Sequence, residues 1–328
     1  MRRQISSQMK ILIVLSVVNI LIVGILTILS PAFMTYANIS AVMLRMSELA
    51  MLAIAETIVL ISGGFDLSIG AIMALSGAVS GILYNLGVPF GFCIIIALAS
   101  GVAVGIMNGF LVVQLKLQPF IVTLATMSIV RSIVYALLQG SVLTGFPTRY
   151  VDLSYVYVFK IPLLFLIMVF LAITVAVMLK KTSTGRRIFS VGANENTAYI
   201  SGIYVKRIKY FVYIASGFIC ALAGLMFTVR IRAAIPDAGI NAPLEVITAV
   251  LIGGTAITGG KGSVLGSILG ILAMYLLLNG FSLLGLNPFW NVIILGIILI
   301  YVVGQENISK GVAGQTKKFL SKMQARKL

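Results

Sequence analysis

The segment Ser62-Gly63-Gly64-Phe65-Asp66-Leu67-Ser68-Ile69-Gly70 sets a carboxylate and a hydroxyl just after two glycines, inside an otherwise apolar stretch. Gly63 and Gly64 let the backbone turn tightly. Asp66 and Ser68 carry oxygens that can accept from free N–H groups at a helix start, and Gly70 follows. Two readings fit. One is a capped helix restart at the cytoplasmic boundary. The other is a broken helix beside a transport path, where irregular backbone must be shielded from lipid.

A second glycine cluster, Gly253-Gly254-Thr255-Ala256-Ile257-Thr258-Gly259-Gly260-Lys261-Gly262-Ser263, comes near a phosphate loop and fails it. Thr255 stands where the first glycine belongs, Gly262 follows Lys261 where Ser or Thr is required, and no strand precedes. The cluster reads as close helix packing through small residues, with Lys261 at the cytoplasmic surface. A third stretch runs from Gly192 through Asn194, Glu195, Ala198 and Ser201 to Gly202. Asn194 can cap a helix of about two turns, and Gly202 can end it. So short a helix must pack on something, either its own bundle or another subunit.

Charges in apolar runs are costly and call for partners. Arg45 and Glu48 lie three apart and can pair near the outer boundary. Glu56 is deeper, with Arg131 as a distant candidate partner. These are structural ion pairs or a substrate or proton site. The amides Asn108, Gln139 and Asn279 offer the donors and acceptors that polyols need, or bond between helices. With Glu56 they form a candidate translocation path. The chain has no His, which removes His triads, His metal sites and His proton relays. Cys93 and Cys220 sit in apolar runs without a CxxC pair and read as small core residues. No catalytic nucleophile–base pair, metal site or cofactor site is expected, so the chain reads as a non-enzyme.

These residues must be positioned by membrane helices. Of 328 residues, 60% are hydrophobic and 10% charged. Soluble domains run near ~45–50% and ~25%. At ~20 residues per span, the apolar material suffices for about ten transmembrane helices. Charge-free runs place them at about 11–29, 41–62, two within 67–115, then 120–139, 161–179, 210–229, a short Gly-rich one at 244–258, and two within 262–305. The expected fold is an all-α polytopic membrane protein. With both termini cytoplasmic, 18 Lys and Arg fall inside and five outside, the bias that orients membrane proteins. That bias accounts for the net charge of +16 without nucleic acid. The first helix reads as retained. Residues 1–10 are expected as a cytoplasmic N-terminus, 11–303 as one transmembrane domain with a cytoplasmic loop at 180–209, and 304–328 as a basic cytoplasmic tail.

From about 40 to 303 the chain resembles the permease subunits of the ribose-type branch of ATP-binding cassette importers. Residues 62–70 match that family's GG-hydrophobic-DLS-x-G signature. Residues 185–203 match its large cytoplasmic loop, and 250–262 its V-x-GG…GG-x-G segment. Tyr199 departs from the pattern, standing where many members have Ala. The resemblance implies a dimer with a second copy or a paralogue, cytoplasmic ATPase subunits, and an extracytoplasmic binding protein that delivers a sugar. It implies that 192–203 is the coupling helix docking into the ATPase, in the cytoplasmic (inner) membrane of a bacterium. The outer segments 30–40, 140–161 and 229–243 would meet the binding protein, with Arg149, Arg230 and Arg232 facing its carboxylates. The rival reading is a stand-alone ion-coupled secondary transporter using Glu48 and Glu56.

Overall fold

A computed structural model describes residues 7–287 and five further positions between 290 and 300. The helices in the described residues are α1 Ser7–Leu29, α2 Tyr36–Ile61, α3 Ile69–Asn85, α4 Phe90–Val113, α5 Pro119–Leu138, α6 Thr148–Val151, α7 Leu163–Lys181, α8 Ser183–Ala193, α9 Glu195–Ile200, α10 Val205–Ile231, α11 Ala242–Ile252 and α12 Val264–Leu283. The α5–α7 connection also holds a 3₁₀ turn, Asp152–Tyr155, and a small antiparallel hairpin of Tyr157–Val158 with Ile161–Pro162.

Local chemistry sets the boundaries. Thr35 caps α2 by accepting from the Asn38 N–H, and Thr182 caps α8 by accepting from the Gly185 N–H. Pro119 begins α5, where its missing N–H costs nothing. Gly87-Val88-Pro89 separates α3 from α4, as its composition predicts.

Two helices form the centre. From Met46 to Ile61, α2 is buried on nearly all sides, and α10 packs against α2, α3 and α4. Where α4 crosses α10, Gly101 and Gly217 face each other so closely that a β-carbon on either would strike the other's backbone oxygen. Without a hydrophobic force between helices in lipid, this close approach supplies the van der Waals contact that holds them. The rim is apolar and outward-facing, with Ile20, Phe92, Ile95 and Phe170 all more than half exposed. Such a surface suits a lipid solvent.

Among the described residues, six helices are long and apolar enough to cross a membrane: α1, α4, α5, α7, α10 and α12. This is fewer than the ten expected from hydropathy. α2 is long enough but carries Arg45, Glu48 and Glu56. α3 has 17 residues. The span expected at 244–258 is corrected to α11, whose 11 residues reach only about 16 Å, half of a ~30 Å core. Gly253-Gly254 ends α11 early, and the preceding 233–241 segment takes the remaining distance as irregular chain beside α3. Most of the tenth span and all of the 304–328 tail lie outside the described residues, as do positions 1–6 of the N-terminus.

Candidate functional site

The three glycine-bearing stretches converge at one end of the bundle. A β-carbon on Gly192 would run into the carbonyl oxygen of Ile61 and lie 2.7 Å from the amide nitrogen of Gly260. That Gly260 N–H donates to the same Ile61 carbonyl at 2.9 Å. It thereby satisfies one of the carbonyls left free at the end of α2. Gly63 faces Gly192, and a β-carbon on Gly259 would lie 2.6 Å from the Gly192 oxygen and 2.9 Å from the Gly63 Cα. Backbone meets backbone from 61–63, from 192 and from 259–260.

From this joint α9 projects. The Asn194 side chain accepts from the Thr197 N–H at 2.9 Å, and Gly202 turns the chain at φ +78°, so both expected ends of the short helix stand where expected. Ala198 is buried against the bundle. Glu195 forms an ion pair with Lys209 of α10. The Ser201 hydroxyl donates back to the Thr197 carbonyl. The outer side of α9 is apolar and bare: Tyr199 is 74% exposed, Ile200 83%, and Tyr204 just beyond it 72%. Arg207 lies over the Tyr204 ring at 4.9 Å.

From the same joint the chain turns inward as the signature segment 62–70. Ser68 occupies the cap position of α3, but its hydroxyl makes no cap bond. Asp66 takes that task. Its Oδ1 accepts from the Ser68 N–H at 2.9 Å and from the Ser68 hydroxyl at 2.5 Å, and its Oδ2 accepts from Ser216 of α10 at 2.8 Å. Asn108 of α4 donates to the Ser68 oxygen at 2.9 Å, and the Asp66 N–H donates to Glu56 Oε1 at 3.4 Å. All five polar side chains are buried. Glu56 Oε2 and Asn108 Oδ1 have no partner among the described residues. Gly64 lies under the Tyr213 hydroxyl, and Gly70 is pressed against the Gly239 carbonyl. Apart from exposed Gly63 and half-buried Phe65, the break is buried in protein, as irregular backbone within a membrane bundle requires.

The structure revises the expected charge pairing. Glu48 does not bond Arg45. Glu48 is buried in the core while Arg45 is exposed. Glu48 instead receives Arg230 of α10. Arg131 does not approach Glu56: it donates to the carbonyls of Pro236 and Ala238, while Tyr135 one turn on bonds Asp237. Arg230 and Arg232 are engaged within the chain, Arg232 with Asp152 and with the Tyr155 ring. Gln139 stands exposed at the left-handed end of α5, apart from Glu56 and Asn108. Asn279 bonds Asn38 at the end of the bundle opposite α9. Sequence reasoning missed Ser216, Tyr213 and Asn38, since a lone hydroxyl or amide in an apolar helix carries no spacing signal.

Residues 38–303 match the family described as branched-chain amino acid transport system / permease component. The ribose import permease protein RbsC of Bacillus subtilis (strain 168) is 37% identical over 86% of this chain and 88% of its own length. The fructose import permease protein FruG of Bifidobacterium longum (strain NCC 2705) is 35% identical, covering 85% of each chain. The D-allose transport system permease protein AlsC of Escherichia coli (strain K12) is 33% identical over 88% of this chain and 89% of its own. No solved structure matches. With its signature glycines in one joint, six membrane-length helices, and relatives alike over most of their length, the chain belongs to this permease family as a subunit of the sugar ABC importer type.

Proposed function

We propose that this chain carries a neutral monosaccharide, of the pentose or hexose class, across a bacterial cytoplasmic membrane. Its relatives are named for ribose, fructose and allose, three uncharged polyols. A binding protein on the outer side delivers the sugar, a separate cytoplasmic ATPase supplies the energy, and a second permease subunit completes the assembly. The chain itself hydrolyses nothing. Residues 11–303 are the permease domain, 180–209 its coupling loop, and the α9 end faces the cytoplasm with both termini.

The observation that carries this reading is the joint of Ile61, Gly192 and Gly260. α9 offers bare Tyr199 and Ile200 for docking, and exposed aromatic and aliphatic side chains on a rigid element make effective anchors. ATPase closure would move α9. Backbone contact at Gly192 would pass that movement to the 62–70 segment, and Asp66 would pass it through Ser216 to α10. The central helices then change side exposure together. Neither state is favoured by a ligand unless that ligand binds the two states differently. The binding protein supplies that bias from outside.

Purification of the tagged chain from native membrane in mild detergent tests the assembly. An ATPase in one-to-one ratio with the permease is the expected result. A chain that emerges alone in several mild detergents, with uptake that follows an ion gradient, would refute it.

A further inference from the structure

At the end opposite α9, α2 and α12 run side by side around a cavity of about 550 Å³. That volume falls within the ~300–1,000 Å³ typical of small-molecule sites. Each helix contributes one stripe at the i, i+3, i+4, i+7 spacing of a single helical face: Asn38, Ala41, Val42 and Arg45 from α2, and Tyr275, Leu278, Asn279 and Ser282 from α12. The polar members of the two stripes face each other.

Asn38 and Asn279 bridge the cleft with a reciprocal pair of hydrogen bonds, and Asn38 Nδ2 also donates to the Phe33 carbonyl at 2.9 Å. Asn38 Nδ2 donates to Asn279 Oδ1 at 3.0 Å, and Asn279 Nδ2 donates to Asn38 Oδ1 at 2.8 Å. Below them stands Arg45, nine residues into α2 and so about 14 Å along its axis from Tyr36. It is exposed and forms no ion pair among the described residues. An exposed guanidinium on a membrane helix almost always faces a water-filled cavity or protein and not lipid. Arg45 is thus a marker that this cleft is an aqueous recess.

The lining also indicates the ligand class. Among the described residues, no carboxylate or second cation lines the cavity. Arg45 is the one charged residue among the described lining. Two side-chain amides, a guanidinium, a phenol and a hydroxyl supply donors and acceptors in both senses, and the Tyr275 ring and Leu278 supply an apolar floor. Amides paired to each other can be re-paired to adjacent hydroxyls with little net change in hydrogen bonding. Such a site holds a polyol weakly and releases it readily.

We propose that the α2–α12 cleft is the sugar's entry site on the permease, with the Asn38–Asn279 pair as its latch, opened by exchange of the amide–amide bonds for bonds to vicinal hydroxyls. This rests on the importer reading above, and the experiment separates the two. The native Cys93 and Cys220 are buried, so an introduced cysteine can be read against low background. In the purified permease–ATPase complex in proteoliposomes, with the binding protein supplied on the outer face for every uptake measurement, Ser282→Cys should react from the outer face with a membrane-impermeant thiol reagent. A mixture of D-ribose, D-xylose, L-arabinose, D-galactose, D-fructose and D-allose should slow that reaction at least about threefold. The double variant Asn38→Cys/Asn279→Cys, oxidised to a disulfide, should lower uptake of the same labelled mixture about tenfold or more, and reductant should restore it. Asn38→Ala, which removes the latch without a cross-link, should weaken half-saturation with little change in assembly. Ser282→Cys that stays unlabelled, or labels without protection by the sugars, overturns the site. So does a disulfide that forms and leaves uptake intact. Absence of uptake by the unmodified complex would instead count against the importer reading, and the labelling and protection arms would still decide the cleft.

Discussion

Arg230, in the last turn of α10, holds both carboxylate oxygens of Glu48 on α2, Nε to Oε1 at 2.6 Å and the terminal nitrogen to Oε2 at 2.9 Å. The two residues are 182 positions apart, and the Glu48 side chain is 4% exposed. A fork-to-fork pair of this kind is both strong and directional. It ties the two central helices together at the end opposite α9. Removing one partner strands the other, which costs about 3–5 kcal/mol for a buried pair. Glu48→Ala is expected to lower folded yield and thermal stability sharply, and the swap Glu48→Arg with Arg230→Glu to recover part of the loss. Thermal unfolding of the detergent-purified variants reads both.

Gly192→Ala places a carbon where the Ile61 carbonyl already stands. Backbone on both sides leaves nothing flexible to yield. The variant should lose sugar uptake, either by failing to fold or by a displaced α9, and size-exclusion profiles distinguish these. Gly91→Ala, where a β-carbon meets open space, is the control and should behave as the parent.

Tyr199 and Ile200 are exposed and contribute no core packing. Substituting Tyr199→Glu and Ile200→Asp together should leave thermal stability within about 0.5 kcal/mol, the usual range for surface changes. ATPase recovery in a pull-down should fall at least tenfold. Full recovery with intact uptake would remove α9 from the coupling role.

Glu56 separates the importer from an ion-coupled carrier. Its Oε1 accepts from the Asp66 N–H, and Gln keeps an acceptor there. In the importer, Glu56→Gln should retain most uptake, and ATP-driven uptake should be indifferent to a protonophore. Loss of uptake with a normally folded, ATPase-bound complex would favour the carrier.

Asp66 is the harder case. It accepts three hydrogen bonds, from Ser68 twice and Ser216 once. Asp66→Ala leaves these donors buried and unpaired, a penalty of about 1–3 kcal/mol each at worst. Asp66→Asn keeps one acceptor oxygen and should be the milder of the two. Ranking the variants by thermal midpoint checks the order.

Much of this was legible in the residues. Asn194 and Gly202 predict the ends of α9, and Gly63-Gly64-Phe65-Asp66 predicts a break in the chain at the right place. The apolar runs predict most of the helices. What could not be read was convergence. Gly63, Gly192 and Gly260 touch through backbone atoms, and a contact without side chains leaves no complementary residue types to notice. Arg45 and Glu48 misled for the opposite reason: a local spacing that permits a pair was outweighed by Arg230 arriving from another helix. α11 came out shorter than its hydropathy because the apolar run around it includes Gly253, Gly254 and the irregular approach from Ala233, which share its composition and not its conformation.

The joint at Ile61, Gly192 and Gly260 has one more consequence. Side-chain contacts absorb small displacements by changing rotamer, and so have play in them. Main chain packed directly on main chain has no rotamers to change, and closely packed interiors transmit strain instead of damping it. A shift of α9 would therefore be passed to the 61–63 backbone and on toward Asp66 with little loss. The same stiffness works in reverse, so a load that holds the helices apart would be felt at the ATPase. Such gearing without slack suits a machine whose fuel should be spent only when cargo turns the wheel.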